Sequence, residues 1–384
     1  MIGRTVRRRT LGTMKIPQPD PVYGTPPQYY PAMPYGMPPR RSWRGPLIPL
    51  IPLALFACLF FGGSYLVASE PDVEAEGGAG FAVVDGREAL LVPYTRHGPR
   101  GMFQLMFQDM FQVRLAARDT GTGELRWDTQ LSDGIVGNAD VLAAGARYAY
   151  VAMDSGLVVL DLADGAKVAE GAGIEGLGSS YIAAPWAYRF DADNRRVVTM
   201  GGDGRVSTIA LDTATATPAD PATTAAWAGQ LSESAAREVR TSTRPQAEYA
   251  GGQVELVARG DGGPGHTLVK RAPDGDRTAV GDAVFQQAGL VISGTALAGA
   301  GSEQALVVHN RGVNDPARQL SAVSLATGKV TATIPVDRSS FTAVVTSPQG
   351  VTAIGVGPVV AVLHPDGRLT AVPFGSADFF GNPS

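Results

Sequence analysis

The sequence predicts an all-β body, a six- to seven-bladed β-propeller, preceded by a single transmembrane helix and a disordered N-terminal tail. Three observations carry that fold class. Residues 46–68 form a 23-residue run without a charge. Beyond it, short apolar runs alternate with Gly- and Asp-rich turns, which is the pattern of strands rather than helices. One hairpin motif then returns about every 49 residues across 300 residues of chain.

Residues 1–45 come first. They hold eight basic residues against Asp20 alone, and nine prolines crowd residues 17–39. Prolines at that density favour extended states and prevent a packed core. The apolar run 46–68 follows, long enough for a hydrocarbon layer of roughly 30 Å. Arg40, Arg41 and Arg44 precede it, and Glu70, Asp72, Glu74 and Glu76 follow. This asymmetry predicts a cytoplasmic N-terminus and an extracytoplasmic body in the cell membrane, with membrane lipid as the partner of 46–68. Cleavage near Val67-Ala68-Ser69, or lipidation of Cys58, are the competing readings. Cys58 is the sole cysteine, so no intrachain disulfide forms. An acidic linker, 69–78, leads into the body at 79–384. The net charge of −4 comprises +7 in residues 1–45 and −11 elsewhere, a sign that disfavours nucleic acid as a partner.

Within the body, 139–170 is the clearest unit: ADVLAA, RYAYVAM, GLVVLDL and AKVAE read as four antiparallel strands joined by tight turns. The recurring motif is a strand ending near Asp or Ser, a small turn, and another strand. It stands at 114–127, 158–170, 207–219, 321–333 and 360–372, with a degenerate copy at 268–280. Four strands per period of 40–50 residues suit a propeller, because a lone four-stranded sheet leaves both faces wet. The repeat positions expected to be structural are Asp119, Gly123, Trp127, Asp161, Gly165, Gly328 and Gly367.

LAARDTGTGELRW (115–127) resembles the quinoprotein-like, PQQ-repeat-type propeller repeat, and AVSLATGKVTATI (322–334) is similar but lacks the tryptophan. The resemblance points to membrane-anchored bacterial members of that superfamily. It implies that Trp127 packs between neighbouring blades. It also raises the question of the cofactor, which quinoprotein dehydrogenases stack on a tryptophan, often against a pair of adjacent cysteines, with calcium held by Glu, Asn and Asp. Here no cysteine follows Cys58, and only Trp127, Trp186 and Trp227 lie beyond the apolar run. The sequence therefore predicts no cofactor and no catalytic residues.

Other chemistry is thinly signalled. The four histidines have no ligand spacing, the acidic turns lack the spacing and closing Glu of an EF-hand loop, and no GxSxG, HExxH or P-loop occurs. GMFQLMFQDMFQ (101–112) repeats MFQ at a spacing of four. On one helix Met102, Met106 and Met110 would share a face, with His97 nearby, as a candidate soft-metal site for Cu(I). The plainer reading is an adaptable Met/Phe surface that caps the body or touches a partner or lipid. The 95–112 loop and a 220–250 insertion, helical at 225–242, are the expected partner-contact surfaces, and deletion of 222–245 is expected to leave the fold intact. The function expected is a non-catalytic binding or scaffold module of the cell envelope, engaging an envelope protein or peptide. The alternative is a degenerate quinoprotein-like oxidoreductase or a copper-binding envelope protein.

Overall fold

The computed structural model describes residues 50–134, 137–232, 241–299, 303–336, 341–342 and 344–383. The tail expected at 1–45 and the first residues of the apolar run, 46–49, lie outside them. The apolar run forms α1, Leu50–Val67, 18 residues long and apolar enough to cross a membrane. Its middle, Cys58–Gly62, is a π-helical turn.

Antiparallel meanders follow, numbered here as units. Unit I spans 72–132: Asp72–Ala75 and Gly80–Val84 both pair along the 11-residue strand Arg87–His97, followed by Phe111–Asp119 and Leu125–Ser132. Its first strand falls inside the segment expected as an acidic linker, so the β-body begins earlier than residue 79. Pairing of Asp72–Ala75 with 94–97 draws that segment into the sheet. Unit II runs Ala139–Ala144, Tyr148–Met153, Gly156–Asp161 and Lys167–Glu170, close to the four strands read from alternation. Unit III runs Tyr188–Asp191, Arg196–Met200, Val206–Ala210 and Thr217–Pro218. Unit IV (246–279) and unit V (286–335) are four-stranded meanders within one ten-stranded sheet, joined where Thr241–Arg244 and Ala296–Leu297 lie along Gln286–Ser293. Unit VI runs Val344–Thr346, Thr352–Val356, Val359–Leu363 and Leu369–Pro373.

Each copy of the recurring motif closes the last hairpin of one unit. The reason is local. Asp119 Oδ1 accepts from the amides of Gly121 and Thr122, Gly123 N donates to Asp119 O, and Asp119 N donates to Glu124 O. Asp161 and Ser324 repeat the backbone bonds with Gly165 and Gly328, and their side chains cap Ala163 N and Thr327 N. The glycine must turn left-handed: φ is +75° at Gly123, +73° at Gly165, +71° at Gly328 and +83° at Gly367. The copy at 207–219 has no glycine, and Asp212 itself takes φ +67°. Its carboxylate crosses to unit II and accepts from Arg147 N and Tyr148 N.

Faces pack in sequence. Leu91, Val113 and Leu115 of unit I meet Val151 and Leu160 of unit II, and Tyr150 and Val159 of unit II meet Val197 and Ile209 of unit III. Unit IV packs on V through Val254, Leu268, Leu290 and Val307, and V on VI through Leu306, Leu320, Ile354 and Leu363. Val360 and Val362 of unit VI then meet Leu90 and Val92 of unit I, so the last sheet covers the first. Such face-to-face closure is a propeller-like arrangement, and it covers the broad faces that a lone meander would expose. Trp127, 7% exposed, donates from Nε1 to Leu162 O of unit II at 2.7 Å. A Cβ on Gly165 would sit 2.6 Å from its ring, so the glycine turn of one unit seats the tryptophan of the last.

The remaining seam differs. The outer face of unit III, Val198 and Val206, is covered by Trp227, the last residue of the helix Pro221–Trp227, and by Leu231 just beyond it. That helix lies earlier than the one expected at 225–242, and 233–240 fall outside the described residues. The 220–250 segment is not one open loop, because it holds this helix and the strands Thr241–Arg244 and Gln246–Tyr249. Removing 222–245 would strip the cover from unit III and the strand along Gln286–Ser293, so the deletion cannot leave the fold intact.

Candidate functional site

The MFQ segment stands at the base of α1. The strand Arg87–His97 ends at His97, the chain turns at Gly98, and α2, Gly101–Phe107, follows before Phe111–Asp119 resumes the sheet. Gly101 has φ +77°, and a Cβ there would lie 2.8 Å from Tyr65 Cα. Glycine thus lets α2 approach the end of α1, where Met102 N donates to Ser64 Oγ at 2.9 Å.

Glutamines, rather than methionines, organise this site. Gln104 is fully buried. Its Oε1 accepts from Arg96 Nη2 at 3.1 Å and from Arg100 N at 2.8 Å, while Nε2 donates to Asp378 O at 2.8 Å. Gln108 Nε2 donates to Gly381 O at 2.9 Å. Two glutamines four residues apart therefore grip the C-terminal segment. Both ends of the Gln104 amide are bonded, which offsets its desolvation, while Gln108 is held through Nε2 alone and its buried Oε1 has no hydrogen-bond partner. Phe103 completes the contact, edge-on to Phe61 of α1 (5.9 Å) and stacked on Phe379 (5.2 Å). In the MFQ repeat the glutamines, at the same spacing as the sulfurs, carry the contacts that build the site.

The methionines do not share a helix face. α2 ends at Phe107, so Met102 and Met106 lie on it and Met110 lies beyond, its carbonyl accepting from Gly98 N at 2.8 Å. His97 is exposed and stands edge-on to Phe111 at 5.6 Å. Among the described residues no group of three or more His, Cys, Asp and Glu side chains is placed to hold a metal ion. Leu105, Met106, Phe107, Met110 and Phe380 remain at least 45% exposed and form an apolar rim around the base of α1.

Above the rim lies a charged interior. Asp128, with a side chain 1% exposed, accepts from Arg114 Nε at 2.8 Å and from Tyr94 Oη at 2.6 Å. Burial pushes the Tyr94 phenol well above its ordinary range, and the Asp128 carboxylate pushes it further. Every strong partner in this triad is spent internally, so it holds structure. Arg96 is different. Only 3% exposed, its guanidinium bonds Gln104 alone, makes no ion pair among the described residues, and keeps Nε without a partner. Arg96 and Arg100 line a cavity of about 540 Å³ between units I and VI, together with Glu70, Asp72, Pro358 and Phe374.

No protein-family model matches the chain, and no curated protein does. Among solved structures, it is similar to an AtxE2 isopeptidase in its apo form at 10% identity and a TM-score of 0.39, covering 81% of this chain and 53% of that one. It is also similar to the WD40 β-propeller domain of Doa1 at 13% identity and a TM-score of 0.23, covering 79% and 83%. The chain thus spans about half the length of the isopeptidase.

Proposed function

We propose that this chain is a single-span membrane protein, N-terminus inside, whose extracytoplasmic body is a six-bladed, quinoprotein-like propeller serving as a non-catalytic binding or scaffold module of the cell envelope. One observation carries the blade number: each of the six motif copies closes the last hairpin of one antiparallel unit, five-stranded in unit I and a four-stranded meander in the others, among the described residues. Supporting the repeat type, Trp127 sits against the Gly165 turn of the next unit. The anchored reading draws on α1, whose Ser64 Oγ accepts from Met102 N of α2, while Gln104 and Gln108 tie the α2 segment to the C-terminal residues. A body fixed so close to its span suits a binding platform held at the membrane surface, whose partner is an envelope protein or peptide.

The test uses the exposed turn residue Ser155. In a Cys58→Ser background, Ser155→Cys is expected to react with a membrane-impermeant maleimide in intact cells. Reaction only after permeabilisation would reverse the orientation. Tagged full-length chain, extracted from crosslinked envelopes, is expected to carry an envelope protein in fixed stoichiometry. Recovery of the chain alone would remove the scaffold role.

A further inference from the structure

The cavity between units I and VI opens beside the base of α1, and its chemistry is divided. The Arg96 guanidinium stands deep inside, and that of Arg100, a quarter exposed, stands nearer the mouth. Arg96 is nearly fully buried without a carboxylate partner, and Arg100 has a buried Nε without a hydrogen bond. A buried cation that lacks a counter-ion is costly, and proteins rarely retain one without a ligand or a paired charge. At the rim stand two carboxylates: Glu70, with a side chain 79% exposed and bonded to Arg100 Nη1 at 3.1 Å, and Asp72, also exposed. The Arg100 guanidinium lies 4.4 Å over the Tyr65 ring, so the cavity mouth sits at the last turns of the apolar helix. Leu66 and Val67, 78% and 86% exposed, continue toward the same end, and the exposed Leu105, Met106 and Phe107 belong to α2, which begins directly after Arg100 and reaches Phe380 through Phe103.

Cations within, anions at the lip and bare apolar side chains alongside match one ligand chemistry. We propose that this cavity binds the headgroup of a zwitterionic aminophospholipid from the outer leaflet. The phosphodiester would approach Arg96 and Arg100, the ammonium would meet Glu70 and Asp72, and the acyl chains would lie on the rim of α2 and Phe380. A volume of about 540 Å³ falls in the range of sites that take a small organic ligand. Charge-assisted bonds from a guanidinium pair suit phosphate oxygens, and exposed apolar side chains beside a span suit the headgroup–acyl boundary. Such a lipid would neutralise Arg96 and fasten the body to the bilayer at a point separate from α1.

The inference rests on the anchored reading, and the two are tested apart. Membrane partition of the full chain, after carbonate washing, reports on α1. Lipid retention reports on the cavity, and is read by native mass spectrometry of full-length protein in dodecyl maltoside with dioleoyl phosphatidylethanolamine, dioleoyl phosphatidylglycerol or inorganic phosphate added. One phosphatidylethanolamine per chain is expected, at least tenfold preferred over phosphatidylglycerol. Arg96→Gln is expected to lower that retention tenfold or more while the chain still partitions with membranes. If Arg96→Gln fails to fold, the paired variant Glu70→Gln/Asp72→Asn is decisive: it should keep phospholipid binding and lose the preference for the amine. Undiminished retention by Arg96→Gln, an unchanged preference for the amine in Glu70→Gln/Asp72→Asn, or saturation by inorganic phosphate without lipid preference would overturn the assignment.

Discussion

Two seams between neighbouring units are built in opposite ways. Between units I and II, Leu91, Val113, Leu115, Val151 and Leu160 form a continuous apolar layer, and Trp127 and Thr129 add bonds to Leu162 O and Gly165 O. Between units III and IV no such layer joins the sheets among the described residues. Unit III is instead capped by Trp227 and Leu231, and unit IV carries Glu255 paired with Arg271 and Arg277. Those pairs join strands within unit IV and add nothing across the seam, whereas each fully buried leucine of the I–II layer contributes about 1.5–3 kcal/mol. The arc from unit IV through VI and I to III is thus tied by burial, and the ring is weakest at one identifiable place.

The largest effect should follow from opening the strong seam. Leu160→Ala, at a position with 0% exposure, is expected to cost about 2–5 kcal/mol in urea unfolding. Leu231→Ala, equally buried but in a three-residue cluster, should act locally. Amides of Val206–Ala210 are expected to exchange faster while those of Tyr148–Met153 stay protected, because unit III opens without its neighbours. Uniform acceleration in both strands would show that the two seams are equivalent.

A second pair of variants separates turn geometry from packing. Gly123 and Gly165 share a left-handed φ, but a Cβ at Gly123 meets nothing within 4 Å, whereas at Gly165 it meets the Trp127 ring at 2.6 Å. Gly123→Ala should cost only the backbone strain, about 1–2 kcal/mol. Gly165→Ala adds about 1–3 kcal/mol of overpacking and should also disturb Trp127 fluorescence. Equal destabilisation would mean that the turn, not the seam, sets the glycine. Trp127→Phe comes next in size. It keeps an aromatic ring but trims the indole and strips the donor from Leu162 O, and is expected to lower stability by about 1–2 kcal/mol.

These residues also mark what the sequence could tell. The repeat was legible because a left-handed glycine four residues after a capping Asp or Ser is a local requirement, satisfied within the hairpin itself. The strands of unit II were legible because alternation and tight turns are local too. The helix Pro221–Trp227 was displaced in the expectation, since Asp220 caps it through Thr223 N and Thr223 Oγ1 and starts it four residues early. Least legible was the base of α1. Gln104 bonds Asp378 across 274 residues, and Arg96 lines its cavity with residues of unit VI, so the arrangement appears only once the last sheet covers the first. A repeat of MFQ advertises its sulfurs and rings, but which side chain turns inward was decided by where the C-terminal carbonyls arrive.

The smallest predicted effect compares the same turn in two copies. Asp119 caps the hairpin of unit I, where Ser324 caps that of unit V. Burial opposes ionisation of Asp119, but the bonds from Arg126 Nη2 at 2.7 Å and from the amides of Thr122 and Gly121 outweigh it and hold the carboxyl at about 2. Because its folded value lies below the roughly 3.9 of an unfolded aspartate, its contribution is complete above that value and is lost as pH falls from about 4 through about 2. Ser324 has nothing to titrate in this window. Asp119→Asn should therefore flatten the acid limb of urea-unfolding midpoints between those limits while lowering stability at neutral pH. Ser324→Ala should lower the curve evenly at every pH. An acid limb unchanged by Asp119→Asn would place the acid sensitivity elsewhere, with Asp191 next in line, since against its burial the bonds from Asn194 and Arg196 Nε hold its carboxyl below the usual range.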